Sequence, residues 1–503
     1  MSKRATLLTA ASLLPVAAAW AQDPAATPLS SPLRVEVVYD RDNAPQTPAL
    51  ADLPRRESIT QYGITWTFDT AVPVGRFVTG DYYVVGPVTV TSVSPQPLFG
   101  DEVPDPTDYE QENWPDELAR HGSVLNLAAT ANPPFDSRTQ GRRYNPETFA
   151  RFPVQMQPGD VLISTRSVED LSAQQRMLGP SDHTNVSRVQ SAAVLTVLPE
   201  PVPPDAFRPA YAGPDQQLYH ARDLRRDLLP RLELPDSATS LEYATRIFER
   251  PWIDNVFFGF TAPVDNLPQY GREVGRAASI GTLRLMGTDD PHDRERLLLG
   301  IVQAGIDYWG LIRAGHGGYP AHGGHGSGRK WILVFAGLML GDEDMQNPYE
   351  RFPDVVFGED MQTMYGQGWT GARALYAGHV GPDGDQERGW GPYEHLPPEQ
   401  WEHRLGESYR HCCTSIAWVG QALAIHLMQA QEIWGHDAFL DYSDRWMYED
   451  NTQFRERIRE ATGWSFGSQG STWDAFVNDM WARYRTAETM PPTDGWRLDP
   501  AEQ

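Results

Sequence analysis

One loop gathers side chains that are suited to chemistry. It runs from Gly315 to Lys330 as GHGGYPAHGGHGSGRK and ends on the cations Arg329 and Lys330. Within ten residues it carries three imidazoles, those of His316, His322 and His325. Glycine tolerates positive φ and adds no bulk, so the backbone can come close to a ligand. The pattern predicts the floor of a site, with imidazoles and cations pointing at one place.

The three histidines lack the spacing of a familiar metal site. Structural zinc favours cysteine-rich patterns and catalytic zinc favours a helical HExxH pair, whereas the spacing here is His-x5-His-x2-His. We therefore predict no metal and no other cofactor. Hydrogen bonding to sugar hydroxyls or to a substrate carboxylate is the better use of these residues. His325 is the first choice because it lies nearest the cations.

Lysine is nearly absent from the chain, which contains only Lys3 and Lys330. An ammonium is a compact charge that can lose its proton when it is desolvated, and arginine cannot copy either property. Lys330 is therefore predicted to serve the site. The alternative is chance survival at an exposed helix start.

Hydrolysis of a glycosidic bond needs two carboxyl groups, one protonated and one ionised. Glu359 and Asp360 are the first candidates, because they follow an irregular, proline-containing segment. Possible substrate-binding residues come after them: Tyr365, Trp369, Arg373 and Tyr376. Either acid could instead cap the helix that follows.

Glu407 is the second candidate acid. It stands just before three possible substrate-binding residues, Tyr409, Arg410 and His411. Alternatively, it is an ordinary helix residue that pairs with Arg404 or Arg410.

Several aromatic residues could stack on a sugar ring: Trp369, Trp390, Tyr393 and Trp418. Trp418 lies at helical spacing in an apolar helix, so the core is its expected place. Trp390 has little apolar company in its loop and is predicted to contact the ligand.

The first 21 residues have the layout of a signal peptide, with Lys3 and Arg4, an apolar stretch, and Ala19-Trp20-Ala21 as a small-x-small cleavage site. Cleavage after Ala21 predicts a secreted or periplasmic protein. No later stretch reaches the roughly 18 apolar residues of a membrane span. The formal net charge of −25 disfavours nucleic acid and anionic membranes. The expected partner is a polysaccharide or oligosaccharide.

The character of the sequence changes twice after the signal peptide. Residues 22–198 contain β-branched and aromatic runs between turn residues, which predicts an antiparallel β-sandwich. Residues 199–215 are proline-rich and predict a stiff, ordered linker. Residues 216–503 have helical periodicity. The clearest helix has Asp290 as its N-cap and Pro291 at its first position, and it ends at Gly315.

That helix is apolar around most of its circumference, which is typical of an inner layer. Short connections between the other helices predict antiparallel neighbours. We therefore expect an (α/α) toroid in preference to a simple bundle. The other predicted helices span residues 273–286, 331–340, 405–430, 438–448, 452–461 and 472–485.

The two cysteines, Cys412 and Cys413, are adjacent. Neighbouring Cα atoms are about 3.8 Å apart, which is shorter than the usual disulfide range of about 4.4–6.8 Å. A reduced, buried pair is therefore expected, and a vicinal disulfide is the alternative.

The order of signal peptide, β domain, structured linker and helical array resembles the glucoamylase-like, six-hairpin group of carbohydrate-active enzymes. Residues 347–379 and 407–447 also resemble exported bacterial proteins of unassigned activity. The resemblance implies a toroid with its active site in the helical domain, at residues 216–503.

Three functions follow as alternatives. The first is an exported glycoside hydrolase that uses paired carboxylates, with Glu359 or Asp360 as one of them. The second is a polysaccharide lyase that acts on a uronate-containing glycan by β-elimination, with parts supplied by His325, Arg329, Lys330, Tyr365 and Arg373. The third is a non-catalytic glycan-binding envelope protein.

Overall fold

A computed structural model of the chain describes residues 29–97, 121–130, 135, 146–168, 189–214, 216–255, 263–266, 271–380, 391–402 and 404–499. The predicted signal peptide and Trp390 lie outside the described residues. None of the described helices combines the length and the apolar character needed to cross a lipid bilayer.

The N-terminal part is a single eight-stranded sheet in the order β5-β7-β8-β3-β2-β4-β6, with β1 paired to β2. The strands are β1 (Arg55–Gln61), β2 (Ile64–Arg76), β3 (Tyr82–Val85), β4 (Val88–Ser94), β5 (Gly122–Leu125), β6 (Val154–Met156), β7 (Val161–Ser167) and β8 (Val189–Leu198). Strands β3 and β8 are parallel and the other pairs are antiparallel, so the sheet is mixed.

The predicted antiparallel sandwich is wrong, because this sheet curls on itself into a half-barrel. Trp66 on β2 donates a hydrogen bond from Nε1 to Ser164 Oγ on β7 at 2.9 Å, although β2 and β7 are not neighbours in the sheet. Alternating apolar residues show that each strand has a buried face. They do not show whether that face meets a second sheet or the same sheet curled over.

The helices of the C-terminal part are α1 (Leu241–Phe248), α2 (Gly271–Leu285), α3 (Pro291–Arg313), α4 (Arg329–Leu340), α5 (Glu343–Gln346), α6 (Pro348–Arg351), α7 (Gly358–Gln362), α8 (Leu405–Tyr409), α9 (Ser415–Leu427), α10 (Gln431–Trp434), α11 (Asp437–Tyr448), α12 (Thr452–Thr462) and α13 (Ala475–Tyr484). Between them lie four short strands, β9 (Gly318–Tyr319), β10 (Val356–Phe357), β11 (Thr363–Tyr365) and β12 (Ala374–Tyr376). The helix from Pro291 is confirmed, and the Asp290 side chain caps it by accepting from His292 N.

The predicted toroid is also wrong. Helix α2 is buried along its whole length and packs against α1, α3, α4, α9 and α13. It is therefore a central helix, whereas a toroid of hairpins closes around a cleft. Periodicity showed correctly that helices such as α3 are buried on several sides, but it does not report the order in which they pack.

Strand β8 connects the two parts of the molecule because both of its faces are buried. Ala193, Leu195 and Val197 point into the half-barrel core. Val189, Ala192 and Val194 belong instead to the large core formed with the helices. The sheet therefore covers the helical part directly.

The linker, which was predicted to be ordered, adds a buried ionic connection between the two parts. Arg208 donates from Nε to Asp81 at the start of β3 at 3.1 Å. Its Nη2 also donates to Asp307 of α3 at 2.7 Å, and the Arg208 side chain is fully buried. One guanidinium thus joins sheet, linker and helices.

We expect Arg208→Met to lower the free energy of unfolding by about 3–5 kcal/mol, because it leaves two buried carboxylates without their cation. The matched control is Arg41→Met, which removes an ion pair to Asp223 whose side chains are 80% and 42% exposed. The control should change stability by no more than about 1 kcal/mol. Denaturant unfolding of both variants at one pH measures the difference. Equal effects would show that the buried pair has no special role.

Candidate functional site

The two loops that sequence analysis selected do meet. Strand β9, inside the histidine-glycine loop (residues 315–328), pairs in parallel with β10, which leads into Glu359. Gly318 is essential to this contact, since its φ is +91° and a Cβ there would lie 2.2 Å from the Val356 carbonyl oxygen. The loops therefore form one local structure.

Arg329 fixes the end of the histidine-glycine loop from inside. Its guanidinium is buried and donates to both Asp254 oxygens, at 2.8 Å from Nε and 3.0 Å from Nη2. Its Nη1 donates back to the carbonyl oxygens of His325 and Ser327. These contacts hold the loop in place. Arg329 was predicted to bind the substrate, but its donors are used within the protein.

Lys330 is held in the same way and is only 2% exposed. Its Nζ donates to both oxygens of Asp360 and to the Trp434 carbonyl oxygen, each at 2.8 Å. It also lies 4.0 Å from the centroid of the Trp434 ring. Tyr349 donates its hydroxyl to Asp360. The three ammonium protons have acceptors within the protein, so neither Lys330 nor Asp360 is placed for the predicted catalytic role.

Glu359 has no exposed surface. Its Oε1 accepts from Gly328 N at 2.5 Å, and Oε2 makes no hydrogen bond with a described residue. Burial raises the pKa of Glu359 from 4.5 to about 7. This carboxyl group caps the backbone where α4 begins, across the space between the loops. Because Glu359 is fully buried, its carboxyl group is better explained as a cap of α4 than as the predicted general acid.

Glu407 is buried and has three side-chain donors around its carboxylate. It accepts from His411 Nε2 at 3.0 Å and from Arg410 Nη1 at 3.4 Å, and the Tyr393 hydroxyl also donates to it. Burial alone would raise the pKa of Glu407, but Arg410 and His411 outweigh burial and hold that pKa well below its usual range. Glu407 therefore stays ionised and cannot be the proton donor.

Four rings form a cluster: those of His322, His325, His379 and Tyr409. The centroid of the His322 ring is 5.5 Å from that of His325 and 4.9 Å from that of His379. The His379 and Tyr409 centroids are 4.3 Å apart. Two backbone hydrogen bonds join the loops that carry His322 and His379. His322 N donates to Val380 O at 2.7 Å, and Gly323 N donates to His379 O at 2.8 Å.

Burial separates the proton affinities within this ring cluster. It lowers the pKa of His322 and raises the pKa of Tyr409. Both side chains are half-buried, whereas His325 and His379 are buried. Sequence analysis missed His379, since a single histidine 54 residues beyond His325 carries no spacing signal of its own. Only the folded loops bring it to His322.

His316 is separate from this cluster. Its Nε2 donates to the Asn255 carbonyl oxygen at 2.9 Å, and its Nδ1 accepts from Gly318 N at 3.2 Å. Both ring nitrogens are therefore used in holding the loop. Among the described residues, no group of three or more His, Cys, Asp or Glu side chains is arranged to hold a metal ion.

Three of the predicted substrate-binding residues lie in a different region. The Arg373 guanidinium covers the Tyr365 ring at 4.5 Å, and Trp369 packs against Phe454 at 5.4 Å. Arg373 lines an open hollow of about 910 Å³ that also includes Trp496. Tyr376 is fully buried, as is Trp418, whose expected place in the core is confirmed. Arg410 is buried beside Glu394 at 3.1 Å.

The helix that carries Tyr409 contains a π-helical turn, Arg410–Thr414, between α8 and α9. Cys412 and Cys413 form a vicinal disulfide in this turn, with Cα atoms 3.7 Å apart. The expected reduced pair is therefore wrong. The Cα atoms keep the short spacing of neighbouring residues, and the disulfide forms at that spacing. The π turn that contains it is a feature often found at functional sites.

We predict that Glu359→Gln will change how stability depends on pH. With a folded-state pKa of about 7 and a reference value of 4.5, Glu359 binds its proton more tightly in the folded chain. Its contribution is complete below about pH 4.5 and is lost as pH rises through 7. The variant lacks this loss, so its stability relative to wild type should rise by about 3 kcal/mol between pH 4 and pH 8.

The control for this experiment is Glu399→Gln, since a hydrogen bond from exposed Arg457 lowers the pKa of Glu399. Its relative stability should move in the opposite direction with pH. Unfolding curves at several pH values test both variants. A flat difference between Glu359→Gln and wild type would contradict the assignment.

We predict strong coupling between Lys330 and Asp360. Lys330→Met should cost about 3–5 kcal/mol of stability, and the double variant Lys330→Met/Asp360→Asn should cost less than the two single changes added together. A coupling energy of about 2–3 kcal/mol is expected. The matched control is the Arg351–Asp344 pair, whose side chains are 54% and 47% exposed. The same double-mutant cycle on this pair should give a coupling energy of no more than about 1 kcal/mol. Additive effects at Lys330 and Asp360 would contradict the buried ion pair.

Comparisons with protein-family models, curated proteins and solved structures found no match for this chain. The case for a function therefore rests on the geometry of the site.

Proposed function

We propose that this protein is an exported carbohydrate-active enzyme that cleaves a uronate-containing polysaccharide by β-elimination. The observation that carries the proposal is the contact series from His322 through His379 to Tyr409. It brings a base on the histidine-glycine loop and an acid at the end of α8 to the two sides of one buried imidazole, and both side chains are half-buried. The signal-like N-terminus supports export.

The reaction needs two proton transfers. A base removes the C5 proton of the uronate ring, which lies α to the carboxyl group. The electron pair of that C–H bond forms the C4=C5 double bond, and the C4–O bond to the neighbouring sugar breaks. An acid then gives a proton to the leaving oxygen. Side chains in contact with the substrate can contribute about 10²–10⁴-fold through such transfers.

The electrostatics of the ring cluster match these two roles. Because burial lowers the pKa of His322, its imidazole is neutral near pH 7 and can accept a proton. Because burial raises the pKa of Tyr409, its phenol keeps a proton to donate. Opposite shifts in neighbouring groups are a common way to assign base and acid. His379 lies between the two rings and positions both.

The paired-carboxylate hydrolase that led the sequence-based expectations has less support. Asp360 is neutralised by Lys330, Glu407 is held ionised by Arg410 and His411, and Glu359 is enclosed. These contacts give the three predicted acids structural partners, and they do not support an accessible pair of carboxyl groups on the two sides of a scissile bond. A non-catalytic glycan-binding protein differs from both enzymes in giving no product.

We predict that His322→Asn and Tyr409→Phe each lower kcat/KM by about 10²–10⁴-fold. Wild-type protein incubated with a panel of uronate polymers should release products with the ultraviolet absorbance of an unsaturated uronate. His395→Asn is the matched control, because His395 is exposed and belongs to a separate turn. Its activity should equal that of wild type.

The pH profile provides a second reading of the same assignment. Activity should fall on the acid side only below the ordinary histidine pKa of about 6.5, since His322 must be neutral. It should not fall on the alkaline side before about pH 10, since Tyr409 must keep its proton. Reducing ends without ultraviolet absorbance would instead indicate a hydrolase, and a lack of any product would favour the binding protein.

A further inference from the structure

A cavity of about 390 Å³ is lined by Ser408 of α8 and by His411 and Cys412 of the π turn. We name it the disulfide groove. Its lining includes four aromatic rings, one cation and one half of the disulfide: Trp446, Trp464, Phe466, Trp473, Arg404 and Cys412.

The lining of the disulfide groove combines flat apolar surfaces with hydroxyl groups. Tryptophan and phenylalanine rings alternate with Ser465, Ser468, Ser471 and Thr472 along one segment. A pyranose ring has the same two characters, since it carries C–H groups on its faces and hydroxyl groups around its edge. Aromatic faces suit the first and short hydroxyl side chains suit the second.

Trp473 forms the exposed rim of the groove, with 41% of its surface accessible. The Arg272 guanidinium lies over its ring at 4.4 Å. Arg272 Nη1 also donates to the Cys412 carbonyl oxygen at 3.3 Å. These contacts hold the rim and the disulfide in one arrangement, so the ring does not have to be ordered when a ligand arrives.

The vicinal disulfide forms part of the surface of this groove through Cys412. Two bonded sulfur atoms present a compact, polarizable surface that carries no charge, and sulfur makes favourable contacts with apolar groups and rings. Cys412 lines the groove, while Cys413 is buried on the side of the histidine-glycine loop.

The groove is adjacent to the ring cluster through the same helical turn. Ser408 and Cys412 line the groove, and Tyr409 and Cys413 are the next residues along the chain. The loop backbone lies against that second face, because a Cβ on Gly323 would be 2.5 Å from the Tyr409 ring and one on Gly324 would be 2.5 Å from the Cys413 carbonyl oxygen. A sugar chain that crosses the turn would meet both places.

We propose that the disulfide groove is the subsite for the sugar next to the reacting bond, with Trp473 and the Cys412 side of the disulfide as its stacking surfaces. Arg404, an exposed cation at the groove in a chain of net charge −25, selects a ring that bears a carboxylate. This assignment rests on the proposed β-elimination for its position beside the bond that breaks.

The test is binding of tetragalacturonate, tetramannuronate and cellotetraose, measured by calorimetry on wild type and on the His322→Asn variant. Trp473→Ala should weaken the affinity for an acidic tetramer at least tenfold. Tyr448→Ala is the matched control, since Tyr448 is equally exposed at 41% and lies outside the groove. Arg404→Gln should reduce the preference for acidic tetramers over cellotetraose.

The disulfide is tested with Cys412→Ser/Cys413→Ser. The melting curve of this double variant shows whether the turn remains folded without the disulfide. If the turn does not remain folded, the affinity of Trp473→Ala still tests the groove. Equal affinity in Trp473→Ala and its parent overturns the proposal, as does the absence of binding by any acidic tetramer.

The two proposals fail in different ways. Weaker binding in Trp473→Ala, without unsaturated product from wild type, would remove the β-elimination and keep the subsite. Unsaturated product with Trp473→Ala fully active would keep the reaction and remove the subsite.

Discussion

Two buried cations at the start of α4 hold the structure on which the site depends. Arg329 and Lys330 stand at the positive end of a helix, where cations are unfavourable. Each has a carboxylate from elsewhere in the chain, Asp254 for Arg329 and Asp360 for Lys330. Glu359 accepts from Gly328 N at the same helix end. A flexible, glycine-rich loop is thereby fixed at its base, so that His322 can be held beside the other rings.

The wider fold joins the helical part, which contains this loop base, to the sheet. Strand β8 contributes one face to the half-barrel and the other to the helical core, and Arg208 joins sheet, linker and α3. The π turn with its disulfide packs against the backbone of the histidine-glycine loop at Gly324. These contacts join the sheet, the linker and the helices, and they fix the backbone beside Tyr409. The proposed acid–base pair depends on such preorganisation.

The sequence predicted local structure better than arrangement. Caps and apolar periodicity located α3, and the concentration of glycine and histidine identified loops that do meet. The sandwich and the toroid were wrong because strand and helix patterns report which face is buried, and not what covers it. Residue type alone does not separate a structural role from a catalytic one at Lys330, Arg329 and Asp360, since a buried ion pair and a catalytic cluster use the same side chains. His379 had no local signal, because only long-range packing brings it to His322.

The central claim is that the substrate crosses the π turn, with its reacting ring at His322 and its neighbour in the disulfide groove. A crystal structure of the His322→Asn variant with bound tetragalacturonate tests this claim most directly. The account predicts one uronate ring with C5 facing residue 322 and the Tyr409 hydroxyl near the glycosidic oxygen, and the next ring against Trp473. Sugar bound instead in the hollow around Arg373 and Trp496, with none at residue 322, would contradict it.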